Sequence, residues 1–331
     1  MDAIILVGGF GTRLRPLTLS RPKQMLPVLD RPMIEHVVGH LGTQGITRAV
    51  LSLGYRPDAF EEAYPQGRCA GVELFYVVEP MPLDTAGAIA FAACKAKVQG
   101  TFVAVNGDVV HRFDLTALLD LHRQTAARAT IALAPVPDPS RYGVVVCRSD
   151  GLVEAFVEKP SEDAVYSKQI SVGIYVLELA ALQSVPDGGR ASIEREVFPL
   201  LVEQGAMYGL SQDEFWVDAG TPASYLDVQL ALSEGGWAHP EAQIATDAVV
   251  IDSVVMQGAV VGAKARIVGS ALLPGAHVGA GVMLDRSIVG YGAQIGARAS
   301  LANLTVVGDA EVVHQGEVLV GQRRPAGDST S

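Results

Sequence analysis

The chain has 331 residues, 49% of them hydrophobic and 18% charged, which is enough apolar material for two folded domains and too much for a disordered segment. A formal net charge of −11 argues against a broad basic face for nucleic acid, although a few cations gathered in one cleft can still hold phosphates. No apolar run reaches the roughly 20 residues of a membrane span, no basic stretch precedes the first apolar run, and Cys69, Cys94 and Cys147 lack metal or redox spacing; these read as a soluble, cytoplasmic chain with reduced, buried thiols.

In chain order, residues 3–7, 49–53, 73–78, 101–105 and 130–134 are short apolar runs with the length of buried strands. Residues 33–44, 86–97 and 115–127 lie between them and carry helical patterns. The alternation predicts a doubly wound α/β fold, a mostly parallel, Rossmann-like sheet with helices on both faces. Residues 143–147 and 152–157 flank Arg148-Ser149-Asp150-Gly151 and predict a hairpin. Thr221 is placed to cap a helix with Pro222 at its first position, running to about Leu232.

The texture changes near Gly235 and Gly236. From about Gln243 onward, aliphatic residues recur every six positions at Val249, Val255, Val261, Ile267 and Leu273, and after a shift of register at Met283, Val289, Ile295, Leu301, Val307 and Val313. That repeat predicts a C-terminal left-handed parallel β-helix of about four coils, each stacking apolar side chains inward. A β-sandwich would show a period of two instead. The expected organisation is a catalytic domain over 1–235, a hexapeptide-repeat β-helix over 236–322 and a disordered polar tail over 323–331.

The N-terminal run Leu6-Val7-Gly8-Gly9-Phe10-Gly11-Thr12-Arg13 follows the first strand. A glycine-rich turn lets backbone N–H groups approach a polyphosphate, but many tight turns share it. It lacks the Gly-Lys-Ser/Thr of a P-loop and the third glycine of a dinucleotide fingerprint. Pro22-Lys23-Gln24-Met25-Leu26-Pro27-Val28 comes soon after. The whole run resembles the signature of the sugar-1-phosphate nucleotidyltransferase family, and is most similar to its mannose-1-phosphate guanylyltransferase branch. The resemblance implies that Leu6, Gly8, Gly9, Gly11 and Thr12 contact the nucleotide while Arg13 and Lys23 act on its triphosphate. Arg15 reads equally as a surface charge.

Nucleotidyl transfer needs two mutually repelling anions aligned and charge on the leaving pyrophosphate offset, which calls for cations and a metal held by carboxylates. Asp108, in Asn106-Gly107-Asp108, and Asp218, in Trp216-Val217-Asp218-Ala219-Gly220, each end a predicted strand. Each could serve instead as a turn or helix cap. Both segments resemble the family's metal motifs, which implies Mg2+ as the cofactor. Sugar-phosphate contacts are implied for Asn106, for Gly143 in Arg141-Tyr142-Gly143, for Glu158 and Lys159 in Glu158-Lys159-Pro160, and for Ser171, which stands where the family usually carries an amide. The run Glu79-Pro80-Met81-Pro82-Leu83-Asp84-Thr85-Ala86-Gly87 resembles the family's Leu-Gly-Thr-Ala-Gly segment on the base side, which implies nucleotide contacts for Glu79, Asp84 and Thr85. Asp84 replaces a glycine there, and reads either as a helix cap or as a determinant of base or ribose selection. A carboxylate at Glu79 suits the two adjacent donors of guanine.

The implied reaction joins a nucleoside triphosphate to a sugar 1-phosphate, giving NDP-sugar and pyrophosphate, with GTP and mannose 1-phosphate ahead of a glucose 1-phosphate or cyclic polyol phosphate with UTP, dTTP or ATP. A regulatory subunit that binds sugar nucleotides without turnover is the rival from another class. His36 and His40 read as helix packing, not a zinc pair. His277 and His314, alone among the repeats, read as packing or oligomer contacts and not as acyltransferase residues. A homo-oligomer formed through the β-helix is expected, with no nucleic-acid or membrane partner.

Overall fold

The computed structural model describes residues 1–161 and 167–325. Met1–Gly9 with Ile34–Trp216 make one compact unit; Phe10–Met33 with the chain from Val217 onward make the other. The second unit is therefore discontinuous in sequence. Among the described residues, no helix is long and apolar enough to cross a membrane.

The first unit is built on a ten-stranded sheet. Its centre is parallel, in the order Thr101–Asn106, Asp2–Leu6, Arg48–Leu53, Val72–Val78, and each of these apolar runs is a strand as expected. Around this parallel centre of the expected Rossmann-like fold the outer strands are mixed. Gln169–Glu178, not anticipated as a strand, runs antiparallel to Thr101–Asn106 and to Ala129–Pro135. It also pairs antiparallel with Gly143–Cys147, which forms the expected hairpin with Val153–Glu158. Antiparallel neighbours tolerate such direct returns, whereas each parallel pair needs a crossover. The helix Asp84–Ala96 turns a small-residue face of Ala86, Ile89, Ala92, Ala93 and Ala96 into the core, where Ile4, Val50, Phe102, Ala104, Ile131 and Tyr175 are buried. Cys69 is buried and Cys147 half-buried, but Cys94 is exposed, against the expectation of buried thiols.

In the second unit Thr221 caps the helix Pro222–Leu232, with a reciprocal Thr221–Ser224 capping box and Pro222 in the first turn. Beyond it lie three parallel sheets of six, five and five strands, so the expected left-handed hexapeptide β-helix has five coils and a closing strand rather than four. The stacked interior positions Val255, Leu272 and Val289 stand 17 residues apart, not 18. One corner per coil accounts for the missing residue. Asp252, Gly269 and Arg286 there adopt positive φ and are followed by Ser253, Ser270 and Ser287. These buried hydroxyls form a ladder: Ser270 N–H donates to Ser253 Oγ at 3.1 Å and Ser287 N–H to Ser270 Oγ at 3.0 Å. At the last turn both Asn303 and Leu304 take positive φ before Thr305, and the coil lengthens to the 18 residues from Val289 to Val307. The short corner shifts the inward position, so Leu272 and Leu284 belong to the stack while Met283 is 55% exposed. Arg323–Arg324 pair with Val306–Val307, inside the stretch expected as a disordered tail; residues 326–331 of that stretch lie outside the described residues.

Candidate active site

In the first unit the expected site residues sit at strand ends. Leu6 and Asn106 are register partners at the close of adjacent parallel strands, and open α/β sheets bind ligands at that edge. Gly8 follows, and a Cβ there would stand 2.9 Å from Glu79 Oε1, so the glycine turn and the expected base-reading carboxylate are in contact. Both Glu79 oxygens are engaged: Ser52 Oγ donates to Oε1 at 3.0 Å and Leu83 N–H to Oε2 at 3.1 Å. Each carboxylate oxygen keeps a further lone pair, so the side chain is fixed in position without losing its accepting capacity.

Asp84 has φ +61°, in the left-handed region where a glycine is the ordinary choice and a short polar side chain is tolerated. Its Oδ1 accepts from the adjacent Thr85 N–H at 2.9 Å, not from the amide two or three residues on that a helix cap would serve, and its other oxygen lies 3.7 Å from Arg190. Thr85 is absorbed by structure. Its hydroxyl donates to Glu194 at 2.8 Å and accepts from Ile193 N–H at 2.8 Å.

Of the residues expected on the sugar side, Gly143, Glu158 and Lys159 lie at the hairpin, and Asn106 and Ser171 on two further strands. Gly143 is the register partner of Glu158, and its Cα faces Glu158 Oε2 closely enough that a Cβ would come to 3.1 Å. Lys159, at φ +47°, reaches Glu158 Oε1 at 3.3 Å. Ser171 lies in a bulged stretch of its strand, and the neighbouring Gly173 at φ +77° packs on the Asn106 side chain, whose amide nitrogen leaves no room for a Cβ there. Asp108 is 9% exposed, two residues beyond the strand end. His40 Nε2 pairs with the Phe113 carbonyl at 2.9 Å, and its ring meets His111 edge-on at 4.8 Å, so packing accounts for it.

In the second unit the loop 10–33 carries both expected cations. Gly11, at φ +61°, has Thr18 and the Lys23 stem against its Cα, and the Thr18 hydroxyl donates to Gly11 O at 2.7 Å. A side chain at residue 11 would push on Lys23. Arg13 lies in a short 3-10 turn, Thr12–Leu14, and its guanidinium meets Asp218 at Gly220: a Cβ on Gly220 would stand 2.7 Å from Arg13 Nη2 and 2.8 Å from Asp218 Oδ1. Gly220 N–H donates to that same oxygen at 2.9 Å. Sequence reasoning missed two residues here. Gly220 was visible only as part of a motif, and Gln24, beside Lys23, is fully buried with neither amide atom partnered. A buried amide left unpaired is costly, which sets Gln24 apart from the other side chains of this loop. Only burial, which a sequence does not display, singles it out.

Residues 2–235 match the family described as nucleotidyl transferase. The chain belongs to the nucleotidyl transferase family. Residues 234–324 match the GMPPB C-terminal domain. A mannose-1-phosphate guanylyltransferase of Mycobacterium tuberculosis is 37% identical over 282 residues, covering 80% of this chain and 78% of the relative. A mannose-1-phosphate guanyltransferase of Schizosaccharomyces pombe is 40% identical over 230 residues, covering 68% of this chain and 62% of the relative. Among solved structures, HddC from Yersinia pseudotuberculosis superimposes with a TM-score of 0.61 at 26% identity, over 70% of this chain and 99% of that one. The same protein complexed with GMP-PN gives a TM-score of 0.60 over the same shares.

Proposed function

We propose that this nucleotidyltransferase moves the guanylyl group of GTP to mannose 1-phosphate, forming GDP-mannose and releasing pyrophosphate. The observation that carries the proposal is the loop with two cations, Lys23 against Gly11 and Arg13 beside Asp218 at Gly220. It supplies charge for a polyphosphate beside a carboxylate for a metal. The two relatives above, both named for mannose 1-phosphate and guanylyl transfer, support the choice of substrates.

In this reading a phosphate oxygen of mannose 1-phosphate attacks the α-phosphorus of GTP. The new O–P bond forms as the bond to the β-phosphate oxygen breaks, and the electron pair leaves with pyrophosphate. At neutral pH the sugar phosphate is already an anion, so no base is needed; alignment and charge stabilisation carry the rate. Arg13 and Lys23 hold the triphosphate, and Leu6, Gly8, Gly9, Gly11 and Thr12 bring backbone close to it. Glu79 reads guanine, with Asp84 setting the backbone beneath it. Gly143, Glu158, Lys159, Asn106 and Ser171 take the sugar phosphate, a carboxylate suiting paired hydroxyls and a lysine suiting the phosphate.

The donor chemistry fits magnesium. Asp108 and Asp218 are hard oxygen ligands, and magnesium takes few protein carboxylates alongside phosphate oxygens and water. When bound, the ion neutralises charge on the phosphates. Pyrophosphate release with GTP, mannose 1-phosphate and magnesium tests the assignments. Lys23→Ala, Arg13→Ala and Asp108→Asn are each expected to lower kcat/KM by about 100-fold or more with the fold intact by circular dichroism. Full activity in any of them removes that residue from its role.

A further inference from the structure

We propose that the β-helix is part of the nucleotide site's machinery, holding the triphosphate loop in place through a clamp of Asp309 and Tyr291 on Arg21. All of these residues lie in the second unit. Arg21 stands two residues before Lys23, yet it faces away from phosphate duty: its Nη2 donates to Asp309 Oδ2 at 2.9 Å, and its guanidinium lies 3.6 Å over the Tyr291 ring. Ser20 Oγ donates to the same Asp309 oxygen at 2.7 Å. The other oxygen accepts from Tyr291 N–H at 3.1 Å, which ties the carboxylate to the neighbouring coil. One aspartate thus collects two donors from the loop and one from the β-helix. A planar guanidinium can hydrogen-bond the carboxylate at its edge while stacking flat on the aromatic ring, a combination that an ammonium makes less well.

The clamp is one of three fastenings. Upstream, Pro16 packs against Gly308 so closely that a Cβ on the glycine would come to 2.9 Å, and Arg323 Nη1 donates to Arg15 O at 3.1 Å. Downstream, Gln229 and Tyr225 donate to Pro27 O, and Gln229 Oε1 accepts from Leu29 N–H at 2.9 Å. Between the fastened points lie Lys23 and the unpartnered Gln24. A loop fixed before the ligand arrives loses less freedom on binding, and a small displacement of its cation is costly to the reaction. Arg21 and Asp309 are on this argument positioning residues.

This rests on the proposed reaction for its kinetic arm only, so the two can fail separately. The test compares the full chain with Asp309→Ala, Asp309→Asn and Arg21→Lys by hydrogen exchange without substrate and by steady-state kinetics with magnesium. Asp309→Ala is expected to speed exchange of amides in residues 15–26 by about tenfold or more while the coils keep their protection. Its KM for GTP should rise by about five- to twentyfold with KM for mannose 1-phosphate within about twofold, and Asp309→Asn and Arg21→Lys should fall between it and the parent. Unchanged loop exchange in Asp309→Ala overturns the proposal, as does loosening spread evenly over the coils. If Asp309→Ala fails to fold, Asp309→Asn decides by the same criteria. Absence of turnover in the parent would sink the reaction and leave the exchange result to decide the clamp.

Discussion

Gly220 occupies a place where the side chains of two candidate site residues, Arg13 and Asp218, close on a backbone. Gly220→Ala would set its methyl against Arg13 Nη2 and Asp218 Oδ1, the mobile ends of two side chains rather than backbone. The chain can yield there without unfolding, so the expected outcome is a stability change within about 1 kcal/mol. The displaced guanidinium and carboxylate should nevertheless lower kcat/KM by about 10- to 100-fold. A loss of stability without loss of turnover would contradict the roles of Arg13 and Asp218. His111 offers a second test. Burial, and secondarily its neighbour His40, push its imidazole down to about 3 from 6.5, and its Nε2 has no partner. The folded chain keeps it neutral where an unfolded histidine gains a proton, so the unfolded state binds more protons between those values. Stability is complete above 6.5 and is lost as pH falls through the window, by about 1.4 kcal/mol per unit for this one group. The His111 imidazole resonance should stay flat on acidification to about pH 5; a midpoint near 6.5 would refute it. Such environments were not legible in the sequence, which shows a histidine after Val110 but not that Phe113 and His40 enclose it.

At the scale of elements, the five apolar strand runs, the hairpin and the three longest helices of the first unit were readable because their apolar periods are strong, whereas short elements such as Asp58–Ala63 and Met207–Ser211 were not. Gln169–Glu178 was missed because it was read as a motif carrying Ser171, and its place between antiparallel neighbours is set by tertiary contact. The β-helix was readable from the six-residue recurrence, but its register was not. The sequence period invites Met283 into the interior, and the two-residue corner at Arg286 and Ser287 excludes it. Leu284→Ala should therefore cost about 2–5 kcal/mol, whereas Met283→Ala should stay within about 0.5 kcal/mol. Urea unfolding of the two variants checks this, and the reverse order would refute the register. Ser270→Ala should cost about 1–3 kcal/mol, because the buried Ser287 N–H loses its acceptor.

For the whole molecule, the family match divides the chain near residue 235, while packing assigns Phe10–Met33 to the unit that contains the β-helix. A reading along the chain could not foresee this, since Arg21 and Asp309 are 288 residues apart. The candidate phosphate residues were legible only through the length of the signature run from Gly8 to Lys23, since a tight turn alone would account for its glycines, and the candidate metal residues only through the segments around Asp108 and Asp218. In the proposed reading, base and sugar preference rests on Glu79, Asp84 and Ser171, whose bonding a sequence does not display. The most direct measurement of the central claim is a competition. The full chain is given equal GTP, UTP, dTTP and ATP with mannose 1-phosphate and glucose 1-phosphate, with magnesium and a pyrophosphatase, and the nucleotide sugars are separated and quantified. GDP-mannose as the dominant product, absent when magnesium is chelated, is the expected result. A dominant glucose nucleotide, or no nucleotide sugar from any pair, would contradict it.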